Sequence, residues 1–139
     1  MQKNAFRVLV VDDDIDLLML MERKLQQNGY IVESAVSLSE AEYVLSLFKP
    51  DLVLIDINVG GEDGRQLCWK IKHNTQATKP KVMLMSGLYY PLNKVMLFGA
   101  DDFIAKPFPP EFVQQKIVSA FLPDKPVVQP LHLRAENMQ

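Results

Sequence analysis

A doubly wound α/β domain built on one parallel sheet is the fold class this sequence predicts. Two patterns point to it. Short β-branched runs alternate with longer stretches of helical periodicity, the rhythm of repeated βα units. Two of the runs, Val8-Leu9-Val10-Val11 and Leu52-Val53-Leu54-Ile55, are continuously apolar rather than alternating, as strands covered on both faces must be.

In chain order, strands are expected at residues 7–11, 30–34, 52–56, 82–86 and, more weakly, 102–105. Between the first two, residues 14–28 carry Ile15, Leu18, Met21 and Leu25 at helical spacing, and Gly29 sits where a C-terminal cap belongs. Residues 37–48 open with Ser37-Leu38-Ser39-Glu40, a capping-box pattern, and present Leu38, Ala41, Leu45 and Phe48 on one face. Residues 64–73 form a shorter helix, with Leu67 and Ile71 one turn apart, and residues 91–98 a further short one closed by Gly99. Pro109 and Pro110 begin the last helix, where a missing N–H costs nothing, and Phe112, Val113, Ile117, Ala120 and Phe121 give it an apolar face. These units make one domain over residues 1–122. Residues 123–139 start with three prolines in eight positions and read as a Pro-rich C-terminal tail or linker.

Composition narrows the function classes. The chain has 139 residues, enough for one domain with a sizeable core. A net charge of −2 argues against a nucleic-acid surface, which needs concentrated Lys and Arg, and offers little to an anionic membrane. The single cysteine, Cys68, fits a reducing compartment, and the apolar run at Val8–Val11 is too short for a signal core or a membrane span. A cytoplasmic protein is expected. Cys68 and Trp69 read as packing residues, and His73 and His132 as isolated side chains without a metal or relay role.

The chemistry lies at the strand ends. Asp12 and Asp13 follow the first strand, and Asp56 ends the third. Ligands of open α/β sheets bind outside the carboxyl ends of strands, so these carboxylates converge if the first and third strands are neighbours. Two charges about 4 Å apart repel by roughly 4 kcal/mol at an effective dielectric of about 20, so a cluster of three demands a counter-charge. A hard divalent cation such as Mg²⁺ suits oxygen ligands of this kind. Lys106 lies just past the fifth strand and Ser86 ends the fourth. A nucleophilic oxygen, a cation, an ammonium and a hydroxyl are the parts of a phosphoryl-transfer site. Each is ordinary alone, because Asp runs start helices and strand-terminal aspartates form turns. It is their joint occurrence at successive strand ends that points to chemistry.

With those residues in hand, a resemblance follows. Val-Leu-Val-Val-Asp12-Asp13-Asp14, Asp-Leu-Val-Leu-Ile-Asp56-Ile-Asn58, Met-Leu-Met-Ser86-Gly and Gly99-Ala-Asp-Asp-Phe103-Ile-Ala-Lys106-Pro-Phe resemble the CheY-like receiver domain of two-component response regulators, over residues 5–122. The resemblance implies a flavodoxin-like (βα)5 fold with strand order 2-1-3-4-5. It implies that Asp56 accepts a phosphoryl group from a sensor histidine kinase or phosphotransfer protein. Asp12, Asp13, Asp56 and the backbone carbonyl of Asn58 would hold Mg²⁺, and Lys106 would pair with the phosphoryl oxygens. Ser86 and Phe103 would be the switch pair, and the Lys106–Pro107 bond would be cis. Signalling would pass to a downstream output protein or an output domain outside this chain, with homodimerisation an option and no direct nucleic-acid contact. Such a domain catalyses its own phosphorylation and dephosphorylation without being a turnover enzyme.

The sequence departs from the family pattern in places. Val59-Gly60 stands where Met-Pro is usual, which is expected to loosen that loop. Gly87 replaces a common alanine, and the stretch from Ser86 to Lys106 is about two residues short of the family spacing, with an unusually apolar Leu88-Tyr89-Tyr90-Pro91. Two alternatives follow. One is a pseudo-receiver that binds partners without phosphorylation. The other is a haloacid-dehalogenase-like phosphatase, disfavoured because its nucleophile follows the first strand.

Overall fold

The computed structural model describes residues 5–74, 79–88 and 98–121. Its elements in chain order are β1 (Arg7–Val11), α1 (Ile15–Gln27), β2 (Ile31–Ala35), α2 (Leu38–Phe48), β3 (Leu52–Asp56), β4 (Asn58–Val59), β5 (Glu62–Asp63), α3 (Gly64–Lys72), β6 (Lys81–Ser86), β7 (Asp102–Ala105) and α4 (Pro110–Phe121). All of the helix expected over 91–98 except Phe98, and the tail expected over 123–139, lie outside the described residues.

Five strands form one parallel sheet in the order β2-β1-β3-β6-β7. Counting these long strands alone, this is the expected 2-1-3-4-5. All of β3 is buried, as its unbroken apolar run requires. Alternate residues feed two cores. Leu9, Val11, Val53, Ile55, Val82 and Leu84 pack under α2 and α3, while Val8, Val10, Leu52, Leu54, Met83 and Met85 pack under α1 and α4. The Lys106–Pro107 bond is cis.

Local chemistry sets the boundaries. β2 starts at Ile31, one residue later than expected, because the Tyr30 N–H closes the end of α1 on the Leu25 carbonyl at 3.1 Å. The Tyr30 ring instead meets Phe6 edge-on, with centroids 5.6 Å apart. α2 is capped as its sequence predicts. Ser37 Oγ accepts from the Glu40 N–H at 3.1 Å, and the Glu40 carboxylate accepts in return from the Val36 N–H at 3.0 Å, one residue beyond the ordinary capping box.

Two expectations need correction. Trp69 is not a core residue: it is 48% exposed and stacks on the His73 ring with centroids 4.0 Å apart. Leu67, Cys68 and Ile71 occupy the sheet-facing arc of α3, and Trp69 falls on its edge. The loop after Asp56, expected to be loose, is a small antiparallel hairpin pairing Asn58 with Asp63 and Val59 with Glu62. Gly60 and Gly61 turn it with φ of 58° and 85°, the double left-handed conformation that a tight two-residue hairpin demands. Proline cannot adopt that φ, and glycine can.

Candidate functional site

Because β1 and β3 are neighbours, with Val11 paired to Ile55, the residues after one and at the end of the other meet at one sheet edge. Asp12 is fully buried and Asp56 is 8% exposed. Lys106 reaches them from beyond β7. Its ammonium donates to Asp12 Oδ2 at 2.6 Å and to Asp56 Oδ2 at 2.5 Å. Asp56 spends its other oxygen on the Asn58 N–H, at 2.8 Å, and Asp12 Oδ1 accepts from the Asp14 N–H at 2.9 Å.

The electrostatics follow from this packing. Burial pushes the Asp12 carboxyl above its ordinary range, a rise only partly offset by the hydrogen bond from Lys106. Burial works against the Lys106 ammonium too, but its hydrogen bonds to Asp12 and Asp56 prevail and hold its pKa above the ordinary lysine value. Lys106 therefore stays charged, and an ammonium stands beside the Asp56 oxygen that faces it.

Asp13 is placed differently. It is exposed, and its Oδ2 accepts from the Gly60 N–H of the β4–β5 hairpin at 3.0 Å. The Asn58 side chain accepts from the Gly61 N–H at 3.1 Å. Gly64 begins α3 directly against Asp56, where any side chain would overlap the Asp56 carbonyl oxygen. Asp63 caps that helix and holds Arg65 at 2.9 Å, and the hydrogen bonds from Arg65 draw its carboxyl below the ordinary range.

Ser86 ends β6, 5% exposed, with its hydroxyl accepting from the Leu88 N–H at 3.0 Å. Phe103 lies opposite Leu84 on β7, half-buried against the core beneath α2 and α3. Asp12, Asp56 and Lys106 are thus in direct contact, and Asn58 touches Asp56. Asp13 joins through the hairpin. Sequence reasoning missed the backbone donors of Gly60, Gly61 and Leu88, since an N–H carries no residue-type signal.

Asp12 and Asp56 offer a cation hard carboxylate oxygens, the chemistry Mg²⁺ prefers, with Asp13 held to the neighbouring hairpin. As they stand, no three acidic, histidine or cysteine side chains among the described residues are grouped to enclose an ion.

Comparison with known proteins bears on the family and the fold. The family described as the response regulator receiver domain matches residues 8–118. The "Uncharacterized transcriptional regulatory protein YvcP" of Bacillus subtilis is 38% identical over 116 residues, covering 82% of this chain and 48% of that protein. The "DNA-binding dual master transcriptional regulator RpaA" of Synechocystis is 29% identical over 104 residues, covering 73% of this chain and 43% of that protein. The chain spans about half the length of the curated relatives it matches. Among solved structures, a CheY-like receiver domain protein from Methanospirillum hungatei has a TM-score of 0.75 at 29% identity, covering 84% of this chain and 94% of that one. The BeF3-activated N-terminal receiver domain of Klebsiella pneumoniae RstA has a TM-score of 0.70 at 29% identity, covering 80% and 94%. With the fold, the strand-end residues and the family match in agreement, this chain belongs to the response regulator receiver domain family.

Proposed function

We propose that the chain is a phospho-accepting switch in a two-component phosphorelay, with Asp56 as acceptor. The observation that carries this reading is the contact of Asp56 with Lys106 and, through that ammonium, with Asp12. An Asp56 carboxylate oxygen attacks the phosphorus of a phosphohistidine on a sensor histidine kinase or phosphotransfer protein. The O–P bond forms as the P–N bond breaks, the imidazole leaving with the electron pair of that bond. Lys106 balances the charge gathering on the phosphoryl oxygens.

Asp12, Asp13, Asp56 and the Asn58 carbonyl would hold Mg²⁺, which supplies charge neutralisation for the transfer. The product places about −1.5 to −2 charges at Asp56. Ser86, whose hydroxyl is turned to Leu88 in this structure, is freed to bond the phosphoryl group, and Phe103 repacks with it. That shift of population is the output signal. It is read by a separate protein, or by an output domain such as the transcriptional regulators among the relatives would supply in their remaining length. No helix among the described residues is long and apolar enough to cross a membrane, and a cytoplasmic location is the setting we assign.

The test is intact-mass spectrometry after incubation with acetyl phosphate, with and without Mg²⁺. One phosphoryl group should be gained only with Mg²⁺, and none by Asp56→Asn. A folded wild type that gains nothing would turn the reading to a phosphorylation-independent pseudo-receiver. The complete set of acids and lysine speaks against that alternative.

A further inference from the structure

The β4–β5 hairpin is tied to the acidic pocket at two carboxylates. Asp56 Oδ1 accepts from the Asn58 N–H at 2.8 Å, and Asp13 Oδ2 accepts from the Gly60 N–H at 3.0 Å across 47 residues of sequence. The hairpin is itself well anchored. Val59 is fully buried, the Asn58 side chain braces the turn at Gly61, and the Gly64 N–H donates to the Ile57 carbonyl at 2.6 Å. It is therefore a fixed point toward which the Asp13 side chain is drawn.

We infer that the Gly60 N–H is a latch on Asp13, holding its carboxylate on the hairpin and away from the cation position, so that Mg²⁺ must open the latch to bind. The inference rests on the reading of Asp13 as a Mg²⁺ ligand. A compact octahedral ion needs its oxygens at about 2.1 Å. Asp12 and Asp56 already converge through Lys106, whereas Asp13 is exposed and stands outside that ion pair. Among the described residues, no three carboxylates are grouped to enclose an ion. Asp13 has to swing inward, and an anchored hairpin does not follow it. A hydrogen bond to an ionised carboxylate is among the stronger kinds, so breaking it lowers the apparent affinity for Mg²⁺. Only a residue with a backbone N–H provides the latch: a proline at position 60 has none.

The experiment removes that one proton. The full chain can be joined by ligation at Cys68, with the Gly60 amide replaced by an ester and the same change at Gly61 as control. Mg²⁺ affinity is then measured by calorimetry without any phosphodonor. The Gly60 ester should bind Mg²⁺ about tenfold more tightly than the natural chain, and the Gly61 ester should stay close to it. Unchanged or weaker binding by the Gly60 ester overturns the latch. In the natural chain, Mg²⁺ should also speed solvent exchange of the Gly60 amide proton, and slower exchange would overturn the latch equally. Failure of the underlying reading looks different: the natural chain would show no binding heat, or Asp13→Asn would leave its affinity unchanged.

Discussion

Lys106 is 94 residues from Asp12 and 50 from Asp56 in sequence, yet its ammonium holds both carboxylates. Its side chain keeps 21% of its exposure, so water screens part of the interaction. Lys106→Met leaves two carboxylates facing each other without a counter-charge. We expect it to lower stability at pH 7 by about 2 kcal/mol, read from urea unfolding, with loss of phosphoryl uptake. Cys68 makes a separate prediction. It is fully buried beside the Phe98 carbonyl, and burial pushes its thiol to about 11. Reaction of the native protein with a thiol reagent at neutral pH should be at least about a hundredfold slower than in denaturant, followed by absorbance.

The elements carry their own caps. Ser37 holds the first turn of α2, and Ser37→Ala should cost about 1 kcal/mol in urea unfolding. α3 depends on Asp63, which caps it, grips Arg65 and so places the guanidinium over the Phe98 ring at 5.0 Å. The folded-state pKa of Asp63 is depressed, so its stabilisation is full above the ordinary carboxylate pKa of about 3.9 and is lost as pH falls through the lower folded value. Asp63→Asn keeps a capping oxygen but cannot ionise. Its stability deficit relative to the natural chain should be constant from neutral pH to about pH 5 and shrink below about pH 4. A deficit that does not change with pH would show that the Arg65 pairing contributes through geometry alone.

Across the whole molecule, stability rests on a sheet covered on both faces. Leu54, at its centre, is fully buried between β1 and β6, so Leu54→Ala should cost about 2–5 kcal/mol. Tyr43, 67% exposed on α2, should cost under about 0.5 kcal/mol on the same change. Urea unfolding of the two variants makes the comparison. The slowest-exchanging amides should lie in β1, β3 and β6, which carry ladder partners on both sides.

Much of this was legible in the residues themselves. Unbroken apolar runs at Val8–Val11 and Leu52–Ile55 signal strands buried on both faces, because only a sheet sandwiched by helices can bury every side chain of a strand. The acids sit immediately after such runs, so their place at the carboxyl edge follows from local order alone. Trp69 was misjudged because helical spacing names an apolar arc without saying how wide the neighbouring sheet makes it. Gly60 in place of a proline suggested a loose loop, and neither the hairpin it turns nor what its amide binds was legible, because an N–H carries no residue-type signal. The Lys106 bridge and the Gly60 hold on Asp13 depend on β1, β3 and β7 lying at fixed places in one sheet. Periodicity reports which face of an element is buried, whereas contacts across 47 or 94 residues are set by strand order and by backbone groups common to every residue, and only the tertiary structure decides them.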